Sequence, residues 1–168
     1  MSEVAVSIEG LDEAIRKCAP ELVAAPLKHF FQRACISIQT RAREACPVDT
    51  GNLRSHILYE IETGSQIPHW AKVGSAVFYA PFVEYGTGLL STGEGGTGGV
   101  HWPPAAALNV WARRHGFASG ARVARAIGMH GGIRPQPYLV PAFDGAQSDI
   151  AKALEMLKTE IAEAWANR

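Results

Sequence analysis

The chain has 168 residues, 47% of them apolar and 19% charged, a composition that suits one folded domain and excludes a disordered chain. Sixteen Lys and Arg balance sixteen Asp and Glu, so no net field draws a polyanion in from a distance. The opening "MSEVAVSIEG" carries acids and no basic leader region, and no later run reaches the ~18 apolar residues of a membrane span, so the expected setting is the cytoplasm.

In chain order, "VAVSIEG" alternates Val4, Val6 and Ile8 and stops at Gly10, the pattern of a short half-buried strand. "LDEAIRKCAP" offers a helical turn or two before Pro20. From Pro20 to Cys46 the apolar positions Leu27, Phe31, Ala34, Ile38, Ala42 and Ala45 fall three or four apart, which predicts the long helix of the domain. Pro26 is expected at its first turn, where a missing N–H does no harm, and Pro47 is expected to end it. "RSHILYEIETG" and "HWAKVGSAVFYA" flank the turn-forming "TGSQIP" and read as strands near Ile57 to Ile61 and Trp70 to Val77. The glycine-dense "GTGLLSTGEGGTGG" is expected to be a flexible insertion at 86–100. "PPAAALNVWARRHG" and "GARVARAIGMHGG" read as short helices. After the irregular "IRPQPYLVPAF", a last helix is expected from about Asp144 to Ala166, with Ile150, Leu154, Leu157, Ile161 and Trp165 on one stripe. The expected fold is α+β, a single domain over 1–168 with a small antiparallel sheet packed against the long N-terminal helix and the C-terminal helix.

The chemistry-bearing residues do not assemble into a catalytic set. Asp49-Thr50-Gly51 is the triplet with which an aspartic protease presents its carboxylate, but here it follows a helix and a proline rather than a strand. The plainer reading makes Asp49 or Thr50 a cap on the next turn, gives Gly51 a conformation closed to other residues, and points Leu53 and Ile57 inward. His29, His56, His69, His101, His115 and His130 show neither HxxxH nor HExxH spacing. Cys18, Cys35 and Cys46 lack CxxC spacing and read as buried reduced thiols. "GEGGTGG" lacks the GK[ST] ending of a phosphate loop. Arg113, Arg114, Arg122 and Arg125 form either a solvated helix face or a surface facing DNA.

Three segments together resemble one family. "CPVDTGNLRSHI" resembles a Pro-Val-x-Thr-Gly-x-Leu-Arg-x-Ser-Ile signature, "VGSAVFYAPFVEYGTG" resembles Val-Gly-x-Tyr-Ala-Pro-x-Val-Glu-x-Gly-Thr, and "PQPYLVPAF" resembles Pro-x-Pro-Phe-Leu-x-Pro-Ala. In that order they resemble the tail-component, or tail-completion, proteins of long-tailed, lambda-like bacteriophages, over roughly Pro20 to the end. His56, Tyr138 and Val140 stand where Ser, Phe and Arg are usual.

The resemblance implies a non-enzymatic structural subunit of the phage neck. Such a subunit forms a ring with itself, of about six copies, completes the tail and helps join it to the head. No cofactor is implied. The partners would be the tail tube or tail terminator and the head-completion or connector proteins. DNA would pass through the ring without sequence-specific binding, and the setting would be the host cytoplasm during assembly and then the virion. The motif residues carried over are Thr50, Gly51, Leu53 and Arg54, then Tyr79, Phe82, Glu84, Tyr85, Gly86 and Thr87, then Pro137, Tyr138 and Pro141. Among them Phe82, Tyr85 and Tyr138 are expected at or beside subunit contacts, or else closing the core, with Glu84 pairing Arg54 or Arg134. Two other functions compete: a small nucleic-acid-binding module using the arginines of 113–134, and a hydrolase using Asp49 with Glu84.

Overall fold

A computed structural model describes residues 3–8, 20–93 and 99–167. The expected turn of helix before Pro20, Cys18, and the centre of the glycine-dense segment lie outside these residues. The fold is α+β, with seven α-helices and three strands among the described residues. The contacts fall into two compact units: Met1–Val77 with Tyr138–Arg168, and Phe78–Pro137. The excursion from the first unit is therefore longer than the expected insertion at 86–100, and has its own helices.

In the first unit, β1 (Glu3–Ser7), β2 (Ile57–Ile61) and β3 (Trp70–Ser75) form an antiparallel sheet in the order β1-β3-β2. The register sets Val4 and Tyr59 opposite Val73, and Val6 and Ile61 opposite Ala71, so these apolar positions of all three strands share one face. Ala71 and Val73 of the central strand are buried on that face. The 26-residue helix α1 (Pro20–Ala45) packs on β2 and β3. Two of its side chains, Gln39 and Arg43, donate to the Ile57 carbonyl at 2.8 and 2.9 Å, which fixes the start of β2 against the helix.

α1 begins at Pro20, with Pro26 inside it rather than at its first turn. Pro26 forgoes the bond an N–H would give to the Leu22 carbonyl. It lies on the buried stripe with Val23, Leu27 and Phe30, where apolar burial of the ring offsets that loss. The stripe is broader than the six expected positions, adding Phe30 and Cys35, while Ala45 is exposed and Cys46 takes its place in the core. Cys35 and Cys46 are buried, and burial pushes the Cys35 thiol up to about 11.

The Pro-rich segment expected to be irregular forms a helix, α6 (Leu139–Gly145). Pro141 sits in its first turn, where no N–H is needed. α7 (Gln147–Ala166) then runs antiparallel along α1, as two carboxylates at its two ends show. Asp149 accepts from Ser37 at 2.8 Å and from Arg41 at 2.7 Å, and Glu160 meets Arg33 at 2.7 Å and His29 at 3.0 Å. Of the expected stripe only Leu157 is fully in the core, joined by Ala153, while Leu154 and Trp165 stay exposed. β3 ends at Ser75, two residues short of the expected Val77.

The second unit contains α3 (Ala80–Tyr85), a 3-10 turn (Gly88–Leu90), α4 (Ala105–Arg114) and α5 (Gly120–Met129). α4 and α5 pack closely because α5 presents Gly120, Ala124 and Gly128 at a spacing of four, all buried. A Cβ on Gly120 would collide with the Ala105 carbonyl, and one on Gly128 with the Trp102 ring. The Gly120 N–H donates to Asn109 Oδ1 at 2.9 Å, and Ser119 Oγ caps α5 by accepting from the Arg122 N–H.

Phe31→Ala and Leu157→Ala are each expected to cost about 2–5 kcal/mol by opening a core cavity, as measured by denaturant unfolding. Losses below about 1 kcal/mol would mean that these stripes do not face a core. The hydrogen bonds and charge of Arg41, with the Ser37 hydroxyl, hold the Asp149 carboxyl down to about 2. The carboxyl is ionised more readily folded than unfolded, so its contribution is fully present above the ordinary carboxylate value of 3.8 and is lost as pH falls through about 2. Asp149→Asn is expected to flatten the acid limb of stability between those two values, followed by thermal melting across pH.

Candidate interaction surface

The first motif forms a structural turn. Gly51 has φ of +80° and occupies the N-cap of the short helix α2 (Asn52–Ser55), with no side-chain cap. Thr50 Oγ1 accepts from the Asn52 N–H at 3.3 Å, a weak bond across the turn of the kind expected of Thr50. Leu53 and Ile57 are buried as expected, and Thr50, Asp49 and Arg54 are exposed. Among the described residues no group of three His, Cys, Asp or Glu is placed to hold a metal.

The second motif and the approach to the third are stitched together inside the second unit. The Thr87 N–H donates to the Ile133 carbonyl at 2.9 Å, and the Ile133 N–H donates back to Thr87 Oγ1 at 2.9 Å. The Gln136 N–H donates to the Val83 carbonyl at 2.8 Å, and the Leu89 N–H to the Gly131 carbonyl at 2.9 Å. Thr87 thus serves as donor through its backbone and acceptor through its side chain for one partner residue, a clasp that ties residues 83–89 to 131–136. The flanking glycines admit it: a Cβ on Gly86 would lie 2.7 Å from the Ile133 carbonyl and 2.8 Å from Pro135 N, and a Cβ on Gly132 would strike the Thr87 carbonyl. Gly-Thr in this motif is a requirement of backbone approach.

Burial sorts the motif residues. Tyr138 is 0% exposed and Glu84 2%. Leu53, Gly86 and Thr87 are also buried, Tyr79 and Tyr85 are half-buried, and Phe82, Pro137 and Pro141 are exposed. Of the aromatics expected at subunit contacts, Tyr138 is withdrawn into the core, because it opens α6 ahead of the buried Leu139 and Ala142. Phe82 is outward, at 48% exposure.

The sequence reading missed a second feature of this unit. On α4 and the turn after it, Trp111 stacks on His115 with ring centroids 4.2 Å apart and on Phe117 at 5.6 Å. Trp111 and Phe117 border an open cleft of about 430 Å³ between α4 and α5, further lined by Arg122, Val123 and Ile127. The available signal was the pair Trp111 and His115, four apart on one helix face.

Gly132→Ala combines a collision with a φ of +148° and is expected to cost about 1–3 kcal/mol. It should speed hydrogen exchange of the Thr87 and Ile133 amides, read by mass spectrometry, while amides of α1 stay protected. Unchanged exchange at Thr87 and Ile133 would show that the clasp does not hold this unit.

No family model, no curated protein and no solved structure matches the chain.

Proposed function

We propose that the protein is a structural subunit of the neck of a long-tailed bacteriophage, which assembles with itself into a ring, completes the tail and helps join it to the head. One observation carries this reading: three motif segments, at residues 46–57, 73–88 and 135–143, resemble those of tail-completion proteins in the same order and between elements of the expected kinds.

Two further features support it. The motif residues serve as turn, clasp and core, the use a scaffold makes of them. The chain also leaves large apolar side chains outside: Phe78 is 83% exposed and Met129 71%, with Phe82, Trp102 and Phe117 exposed as well, more than an isolated small subunit needs and in keeping with one that is covered on assembly. No helix of the described residues is long and apolar enough to cross a membrane.

Particles made without this protein are expected to accumulate as full heads beside unjoined or abnormally ended tails under the electron microscope. Infectious virions of normal form made in its absence would overturn the reading.

A further inference from the structure

Formal neutrality of the chain conceals a division of charge between the two units. Phe78–Pro137 contains five arginines, no lysine and two acids, Glu84 and Glu94, and so carries +3, while the other unit, with 11 basic and 14 acidic residues, carries −3. Glu84 is buried, and no acid occurs anywhere in residues 95–143. The pair α4 and α5 therefore presents positive charge alone, with Arg113, Arg114, Arg122 and Arg125 all exposed. Soluble surfaces ordinarily intersperse both signs, and a surface of one sign attracts a partner of the other.

α5 divides this surface into two clefts of like composition. Arg122, Val123, Ala126 and Ile127 face the cleft of about 430 Å³ that Trp111 and Phe117 border. Ala121, Ala124, Arg125 and Met129 face a second open cleft, of about 500 Å³, bordered by Trp102. By the period of the helix these two sets lie on opposite flanks of α5, and Arg122 and Arg125, three apart, are neighbours on the outward ridge between them. Each cleft thus pairs a flat ring with a guanidinium at its rim. Both rings are open to a ligand: Phe117 is 49% exposed and backed by the nearly parallel Trp111, and Trp102 is 60% exposed with one side laid on Gly128, where a Cβ would strike it.

We propose that α4 and α5 bind single-stranded nucleic acid, whose backbone crosses the ridge of α5 over Arg122 and Arg125 while its bases stack on Phe117 in one cleft and on Trp102 in the other. Two adjacent sites of guanidinium and ring fit a polymer that repeats an anion and a flat ring. An acidic protein supplies the charge without the repeated rings. A duplex supplies phosphates, but its bases are stacked on one another and reach the platforms only if they are unstacked at a cost. Because every base has a face to stack, the binding tolerates any sequence. The activity does not depend on the ring reading, and Phe78 and Phe82, which line neither cleft, are left for subunit contacts.

Fluorescence anisotropy of the full chain tests this across salt, with labelled DNA and RNA strands of about 20 nucleotides, longer than the ~4–16 that one small binding fold covers, and with the matching DNA duplex. A strand is expected to bind about tenfold or more tightly than the duplex, and to quench tryptophan fluorescence. Phe117→Leu and Trp102→Leu, which keep apolar bulk and remove the flat ring, should each weaken strand binding by about fivefold or more, and Trp102→Phe should retain most of it. Arg122→Gln and Arg125→Gln should each lower the slope of log affinity against log salt by about 0.7. Melting at the wild-type temperature checks that each variant is folded, and the two Gln variants, at exposed positions, keep the test decisive should a Leu variant unfold.

Failure of every strand to bind at low salt would overturn the proposal and leave the neck reading standing. Duplex bound as tightly as strand, with the ring variants unaffected, would overturn it in favour of a surface that meets phosphates alone. Displacement of a bound strand by polyglutamate as readily as by an unlabelled strand would overturn it in favour of an acidic protein. A preference between the DNA and the RNA strand names the source of the ligand and supports the proposal in either direction.

Discussion

Burial of α1 is the constraint on which the first unit depends. A 26-residue helix with a stripe running from Val23 to Ala42 is too apolar to stand alone, and a sheet of three short strands can cover only part of it. The remainder is covered by α6 and α7, which arrive from the far end of the sequence. Polar bonds then decide how these layers are aligned. Gln39 and Arg43 hold β2 through a single carbonyl, and Asp149 and Glu160 hold α7 at two points along its length. Ion pairs this exposed add little stability, and their clearer role is to select one alignment of two helices whose apolar contacts alone would tolerate several.

The second unit is organised on a different principle. It has no strand among its described residues and no long helix, and its contacts depend on backbone drawn close to backbone. Thr87 and Ile133 exchange two hydrogen bonds, and α5 presents glycines to α4 and to Trp102. A unit assembled from small residues buries less apolar surface per residue than one assembled from Phe and Leu. It also leaves its larger side chains, Phe78, Trp102, Phe117 and Met129, on the outside. Its interior and its outward aromatics are two results of the same choice of residues.

Periodicity made the elements of the first unit legible. The α1 stripe, the alternation of β1 and the spacing of Leu157 each reflect burial of one face, and burial of one face is what a repeat in sequence records. Where reading failed, a local rule was overridden by packing that no window of sequence contains. Pro26 sits mid-helix because its ring is wanted in the core, and "PYLVPAF" is helical because its prolines precede the point at which a helix needs N–H donors. Trp165 and Leu154 lie on the expected stripe yet outside the core, since α7 meets α1 along its alanine and Leu157 edge. The charge division was hidden because a sum over the chain cannot register that five arginines and almost no acids share one compact unit. The clasp at Thr87 was visible only as a motif, as its geometry requires a residue 46 positions away.

The nesting of one unit within the other has a consequence for the order of synthesis. Residues that cover the outer side of α1 follow the 60 residues of Phe78–Pro137, so translation at ~5–20 residues per second delays them by roughly 3 to 12 s. During that interval α1 lacks the two later helices that pack on it. The nested unit, a compact set of contacts within one continuous stretch, can form meanwhile and tie residues 83–89 to 131–136 through Thr87 and Ile133. Its closure shortens the effective loop that α6 and α7 must span, lowering the entropy cost of their return. The nascent chain thus passes through its most exposed stage while a ready-made tether forms that brings that stage to an end.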